Sequence, residues 1–223
     1  HESPPLVEIV EGLLEYSNNV TTELVQMAAA RHLVRRAVNS PESAQVLGNW
    51  TLQNILLPGI RHSYSFQNGS GLTSQNRISP RQLVTILNFT SKRARPGRRS
   101  FESLLPISGF NGNFAEPFHR PGLAYRIRAK SGTMNFVQAL AGWIYPTSGK
   151  KLIFAILSTN PEGRAQVDAS PLPLANSLLD KSEAWRRQAR EFEKNLLLSW
   201  ILNASHPDGA ASADTHAPFP LAD

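Results

Sequence analysis

Apolar positions along the first half of the chain recur at helical spacing. Leu6, Val7, Ile9, Val10, Leu13 and Leu14 mark a first amphipathic helix, with Ser3 and Pro4 as its expected N-cap and first residue. The polar stretch Tyr16-Ser-Asn-Asn19 interrupts the pattern. A second helix follows, with Leu24, Val25, Ala28 and Leu33 as its expected apolar face. Ser40-Pro41 and Ser79-Pro80 predict two further helix starts. The first helix carries Val46, Leu47, Trp50 and Ile55, the second Leu83, Val84, Ile86 and Leu87.

Beyond residue 100 the period becomes two. Tyr125, Ile127 and Ala129 alternate with Arg126, Arg128 and Lys130, which predicts a strand. Met134 to Ile144 and Leu152 to Leu157 predict two more, joined by a turn at Pro146-Thr-Ser-Gly149. Short links between three consecutive strands predict an antiparallel meander. The segment AKSGTM, residues 129–134, reads as a joint between strands. Residues 161–175 read as a linker rich in proline and small residues. A last helix is expected from about Lys181 to Leu202, with Trp185, Ala189, Phe192 and Leu196 on one face and Asp180 and Glu183 capping its start. The tail from 204 to 223, rich in alanine, aspartate and proline, reads as disordered.

Composition narrows the chemistry. With no cysteine there is neither a disulfide nor a thiolate metal site. The six histidines form no metal-ligand motif, so neither metal nor cofactor is expected. No apolar run approaches the roughly 18 residues of a membrane span. The opening HESPPLVEIV reads as the interior of a longer polypeptide. A net charge of +6 owes much to the run Lys92 to Arg99, read as a solvated basic loop. No aromatic residue interleaves that run, so nucleic acid is not an expected partner.

Lys130 then stands out. It is followed by Ser131, Gly132 and Thr133. A glycine inside a strand lets another backbone or a ligand approach closely. A cationic, hydroxylated and unobstructed strand edge suits a peptide that ends in a carboxylate and docks as an added strand. K-[ST]-G is one of three elements of the penicillin-recognising serine acyltransferases, with S-x-N and S-x-x-K. S-x-N occurs here at Ser17-Asn18-Asn19, Ser74-Gln75-Asn76 and Ser158-Thr159-Asn160. The first is preferred, because a rigid turn between two helices can aim its side chains into a cleft. Helix capping is the competing role for Ser17 and Asn19.

Four blocks occurring in order carry a resemblance: SPPLVEIVEGLLEYSNNVTTELV, NGSGLTSQNRISPRQLVTIL, LLPISGFNGN and AKSGTMNFVQALAGW. Residues 1–160 resemble the class C low-molecular-mass penicillin-binding proteins, the D-Ala-D-Ala carboxypeptidase/endopeptidases of the penicillin-binding-protein-4 type. The resemblance implies an α/β fold of the β-lactamase/DD-peptidase type, an antiparallel sheet with flanking helices, incomplete in this chain. Residues 1–160 would be the C-terminal part of the catalytic domain. Residues 161–203 would be a linker and a helix packed on it.

The resemblance also implies acyl transfer through a serine ester on peptidoglycan stem peptides, with β-lactams as covalent inhibitors, in the bacterial periplasm or cell envelope. Ser17 would relay a proton and Asn19 would hold the catalytic lysine. Lys130 would keep the site cationic, and Ser131 would bind the substrate carboxylate beside Gly132. The Thr133 N–H would help form the oxyanion hole. Two departures stand against the family pattern. The triplet is KSG, where KTG is usual. The only S-x-x-K is Ser148-Gly-Lys-Lys151, in the expected strand–strand turn. The nucleophile is therefore expected upstream of His1. A non-catalytic peptidoglycan-binding protein and a serine β-lactamase are the alternatives.

Overall fold

The computed structural model describes residues 2–93, 99–112, 115, 118, 119 and 121–204. Helix α1 spans Leu6–Tyr16. It begins later than expected because Pro4 precedes a proline, and such a residue is pushed out of the helical region. Pro5 is itself extended (φ −52°, ψ 143°), and Ser3 caps nothing. The chain turns at Ser17, whose backbone is left-handed (φ 55°, ψ 44°).

Helix α2 runs from Asn19 to Val34. Its expected apolar face is not the one it buries: Leu24 is 56% exposed and Leu33 42%, while Gln26 and Ala30 are buried. The reason lies in helix α3, Ser40–Asn54, which presents Ser43, Ala44 and Gly48 to the interior. Gln26 Nε2 donates to Ser43 Oγ at 2.7 Å and to the Ser40 carbonyl at 3.1 Å, so small and polar groups let the two helices approach. Asn39, one residue ahead of the expected start, caps α3 by accepting from the Glu42 N–H. Helix α4, Pro80–Ser91, starts as predicted, with Ser79 and Gln82 forming a reciprocal capping box.

The sheet is the predicted meander. Strands β1 (Ile127–Met134), β2 (Val137–Ile144) and β3 (Leu152–Thr159) lie antiparallel in the order β1-β2-β3. Two corrections apply to β1. Tyr125 is outside it, with φ 61° and 63% exposure. AKSGTM is no joint: Ala129 to Met134 pair continuously with Gly142 to Val137, and the turn is the dipeptide Asn135-Phe136. Serine and glycine form strand here because the ladder with an apolar partner strand overrides their weak preference, while β-branched threonine suits a strand in its own right.

Each face of the sheet is covered. Ile127, Ala129, Leu140, Ile144, Phe154 and Ile156 pack against Leu197 and Ile201 on one face. Trp143 packs with Leu87 and Leu105 on the other. Residues Pro161–Ala169 form helix α5, not a linker. Asn160 caps it through the Gly163 N–H at 2.9 Å, and Pro161 sits at the first helical position, so a proline counted toward the linker is a helix start.

Helix α6 spans Asn176–Asn203 and begins before the expected residue 181. Asp180 and Glu183 therefore lie inside it and do not cap it. Its buried stripe is Ser182, Ala189, Glu193, Leu197 and Ile201; Phe192, expected on that face, is 45% exposed. Beyond Ala204 the expected disordered tail lies outside the described residues, as do residues 94–98 of the basic run.

Candidate active site

β1 is an edge strand, and only part of that edge is covered. The Ser108 N–H donates to the Ile127 carbonyl at 2.9 Å, and the Ala129 N–H donates to the Pro106 carbonyl at 3.1 Å. In an antiparallel ladder, alternate residues direct their backbone groups to the same side. Ser131 and Thr133 therefore direct theirs to the same edge as Ile127 and Ala129, past the reach of the 106–108 segment. Gly132 sits between them. A Cβ built there would meet the Ala139 Cβ at 3.8 Å, so nothing among the described residues requires glycine.

Lys130 points to the opposite face from Ile127 and Ala129, toward the α1–α2 turn. Its Nζ donates to Ser17 Oγ in a short hydrogen bond and to the Ser131 carbonyl at 2.8 Å. Burial pulls the Lys130 ammonium below the usual lysine range.

Ser17 is available for this contact because its neighbour does the capping: Asn18 Oδ1 accepts from the Thr21 N–H at 2.9 Å. Asn19, the first residue of α2, is exposed. Thus Ser17, Lys130 and Ser131 meet directly. Gly132 and Thr133 continue the edge, and Asn19 lies two residues from Ser17 at the rim.

The other two S-x-N triplets are committed elsewhere. Asn76 accepts from the Gln67 N–H at 2.7 Å and donates to the Asn68 carbonyl at 3.1 Å, and Asn160 caps α5. Ser148 and Lys151 are also remote from Lys130. Lys151 pairs with Glu102 at 2.6 Å, and Ser148 Oγ donates to the Ala204 carbonyl at 3.5 Å.

Supporting residues surround the site without belonging to either motif. Glu23 accepts from the Ser70 N–H at 3.0 Å and from Ser40 Oγ at 2.9 Å, tying the glycine-rich loop to α2 and α3. Burial pushes its carboxyl up, but hydrogen bonds from Ser70, Ser40 and Gly69 outweigh this and hold it below the usual carboxylate range. Asn68 Oδ1 accepts from the Gly71 N–H at 3.1 Å and closes that loop. Of the basic run, Arg99 pairs with Glu11, and Arg93 lies 3.9 Å over the Phe89 ring. Among the described residues, no group of three or more His, Asp or Glu side chains is placed to hold a metal ion. No helix among them is long and apolar enough to cross a membrane.

An edge strand bearing K-S-G, held against a serine in a helix–helix turn, places the molecule among the penicillin-recognising folds. The model of the D-Ala-D-Ala carboxypeptidase 3 (S13) family matches residues 1–175, and the chain belongs to that family. Carboxypeptidase DacB of Mycolicibacterium smegmatis is 30% identical over 175 residues, which are 75% of this chain and 37% of that protein. D-alanyl-D-alanine carboxypeptidase DacB of Haemophilus influenzae is 28% identical over 158 residues, 69% of this chain and 32% of that protein. Among solved structures, penicillin-binding protein 4 of Haemophilus influenzae, complexed with a β-lactam, superposes with a TM-score of 0.68 at 21% identity. The match covers 91% of this chain and 43% of that one. The fold is therefore that of the DD-peptidases, and this chain spans about a third of the length of these curated relatives.

Proposed function

We propose that this chain carries the S-x-N and K-S-G walls of a serine-type D-Ala-D-Ala carboxypeptidase/endopeptidase. It acts on peptidoglycan stem peptides in the bacterial cell envelope. The observation that carries the reading is the Lys130–Ser17 contact beside the open edge at Ser131 to Thr133. Residues 1–160 form the C-terminal part of the catalytic domain, with α6 packed on it. The acylating serine and its lysine belong to residues outside 1–223.

In this reading the serine oxygen attacks the carbonyl carbon of the penultimate D-Ala. A C–O bond forms, the C–N bond breaks, and the terminal D-Ala leaves as an amine. Ser17 relays the proton from the catalytic lysine to that amine, and Asn19 holds the lysine and the substrate backbone. Lys130 favours the neutral form of the catalytic lysine and draws in the substrate carboxylate, which Ser131 binds. The Thr133 N–H, with that of the nucleophile, stabilises the oxyanion, worth roughly 3 kcal/mol per donor. Water then hydrolyses the ester. A β-lactam enters the same step, but its leaving amine stays tethered, so the ester persists.

A second reading has its own support. The only S-x-x-K in the chain is engaged at the β2–β3 turn, away from Lys130. Taken alone, the chain is then a peptidoglycan-binding module without a nucleophile.

One experiment separates these readings. The native protein from its source is incubated with a fluorescent penicillin, and the adduct is followed by denaturing gel and mass spectrometry. A slowly released penicilloyl ester supports the carboxypeptidase, whereas rapid turnover indicates a β-lactamase. Reversible binding of stem peptide without an adduct supports the binding module. Failure to bind either ligand overturns the assignment of the edge as a substrate wall.

A further inference from the structure

Among the described residues, the interior holds one fully buried carboxyl group, and the proposed chemistry does not use it. Glu193, on α6, is 1% exposed among Ala189, Leu197 and Ile201. Its Oε2 accepts from Gln138 Nε2 at 3.2 Å, and its Oε1 is buried with no hydrogen-bond partner. A half-satisfied carboxyl in an apolar stripe is costly, and a leucine there would pack at less expense. Its place there therefore asks for a role.

The connection it makes supplies one. Gln138 is directly opposite Thr133 in the β1–β2 ladder. Gln138 Oε1 accepts from Thr133 Oγ1 at 3.0 Å. The amide of Gln138 thus has one end on the edge strand and the other on α6. Because a Glu193 oxygen accepts from Nε2, the amide stands with Nε2 facing Glu193 and Oε1 facing Thr133. Donation to the carboxylate also polarises the amide and strengthens its acceptor end. Burial pushes the Glu193 carboxyl up to about 7, against the pull of Gln138, Arg190 and Lys194.

We propose that Glu193, acting through Gln138, is a positioning residue for Thr133, holding the end of β1 so that its N–H stays aimed across the open edge. The proposal rests on the reading of that edge as an acyl site. Neighbouring contacts hold the turn but do not reach Thr133. Ser182 Oγ donates to Asn135 Oδ1 at 3.0 Å, and Arg164 Nη1 donates to the Asn135 carbonyl at 3.2 Å.

The test compares Glu193→Leu, Glu193→Gln, Thr133→Val and the double variant Glu193→Leu/Thr133→Val. It uses the native protein together with its acylating serine. Two quantities are read. The first is the backbone order parameter at Thr133, expected to fall from about 0.85 to below about 0.6 in Glu193→Leu. The second is penicillin acylation, resolved into prior binding and the chemical step. The chemical step is expected to slow about tenfold in Glu193→Leu and in Thr133→Val, with prior binding unchanged. The double variant is expected to be no slower than either single one, and Glu193→Gln is expected to keep the parent values.

An unchanged order parameter at Thr133 in Glu193→Leu overturns the proposal. So does multiplication of the two losses in the double variant. If Glu193→Leu fails to fold, Gln138→Met breaks the same connection from the other end. If Thr133 loosens but the parent protein forms no penicilloyl adduct, the acyl-site reading fails and the positioning role stands. If the adduct forms and Glu193→Leu leaves both quantities unchanged, the reverse holds.

Discussion

Ser17 and Lys130 lie 113 positions apart and share a hydrogen bond between the α1–α2 turn and strand β1. Asn18 caps α2 in place of Ser17, so the fold has no local use for the Ser17 hydroxyl. Ser17→Ala is expected to change stability by less than about 1 kcal/mol. Lys130→Met is expected to leave the fold intact. Each is expected to slow penicillin acylation of the native protein by about 10²-fold or more. Thermal melting and gel labelling of the same preparations check both halves. Equal loss of stability and labelling would reduce the contact to a structural one.

Two glycines of the sheet make opposite predictions. A Cβ at Gly142 would lie 2.1 Å from the Arg128 carbonyl oxygen, inside the ladder that holds β1. Gly142→Ala is expected to destabilise by about 3 kcal/mol or more and to lower the melting temperature sharply. Gly132→Ala meets nothing closer than 3.8 Å and is expected to leave melting unchanged or slightly raised. Its effect should appear in penicillin labelling, which is expected to fall. If Gly132→Ala labels normally, the edge does not need that space.

Glu193 also sets a pH dependence of stability. Its folded pKa is raised from 4.5 to about 7, so the folded state holds the proton more tightly than the unfolded chain. The associated stabilisation is complete below pH 4.5 and is lost as the pH rises through about 7. Its full extent is about 3 kcal/mol. Denaturant titrations between pH 4.5 and 8 should show this decline, and Glu193→Gln should flatten it. A Glu193→Gln profile parallel to the parent would place the titration elsewhere.

Glu23 acts with the opposite sign. Its carboxyl is held below the usual carboxylate range, so its contribution is present above that range and lost as acid protonates it. Glu23→Ala is expected to cost about 1–2 kcal/mol by releasing the Ser70 N–H and the Ser40 hydroxyl. Amide exchange at Ser70, which the carboxylate protects, should quicken.

Much of this architecture could be read from local pattern. The helix start at Ser79-Pro80, the three-strand meander and the Pro146–Gly149 turn are short-range features, and each appears where periodicity and turn chemistry put it. The misreadings share a cause. Hydrophobicity pointed α2 inward through Leu24, but the buried face was chosen by the fit of Gln26 against Ser43, a long-range and polar event. AKSGTM resembled a break because propensity cannot see a partner strand. The proline at 161 counted toward a linker because composition alone does not show Asn160 capping a helix that starts there. For the candidate site, motif and family pattern singled out Ser17 and Lys130. Gln138 and Glu193 stayed hidden, because an acid on a helix gives no sign of being buried.

The partial cover on β1 sets a length limit. The Pro106 carbonyl and the Ser108 N–H engage the Ala129 N–H and the Ile127 carbonyl, and beyond them Ser131, whose carbonyl accepts from Lys130, and Thr133 face outward. Two such residues span roughly 7 Å of strand. A guest chain can therefore register over one short interval before it meets Pro106 and must stop or turn away. The edge is a measured berth, one short interval of strand long and closed on one side by the Pro106–Ser108 segment.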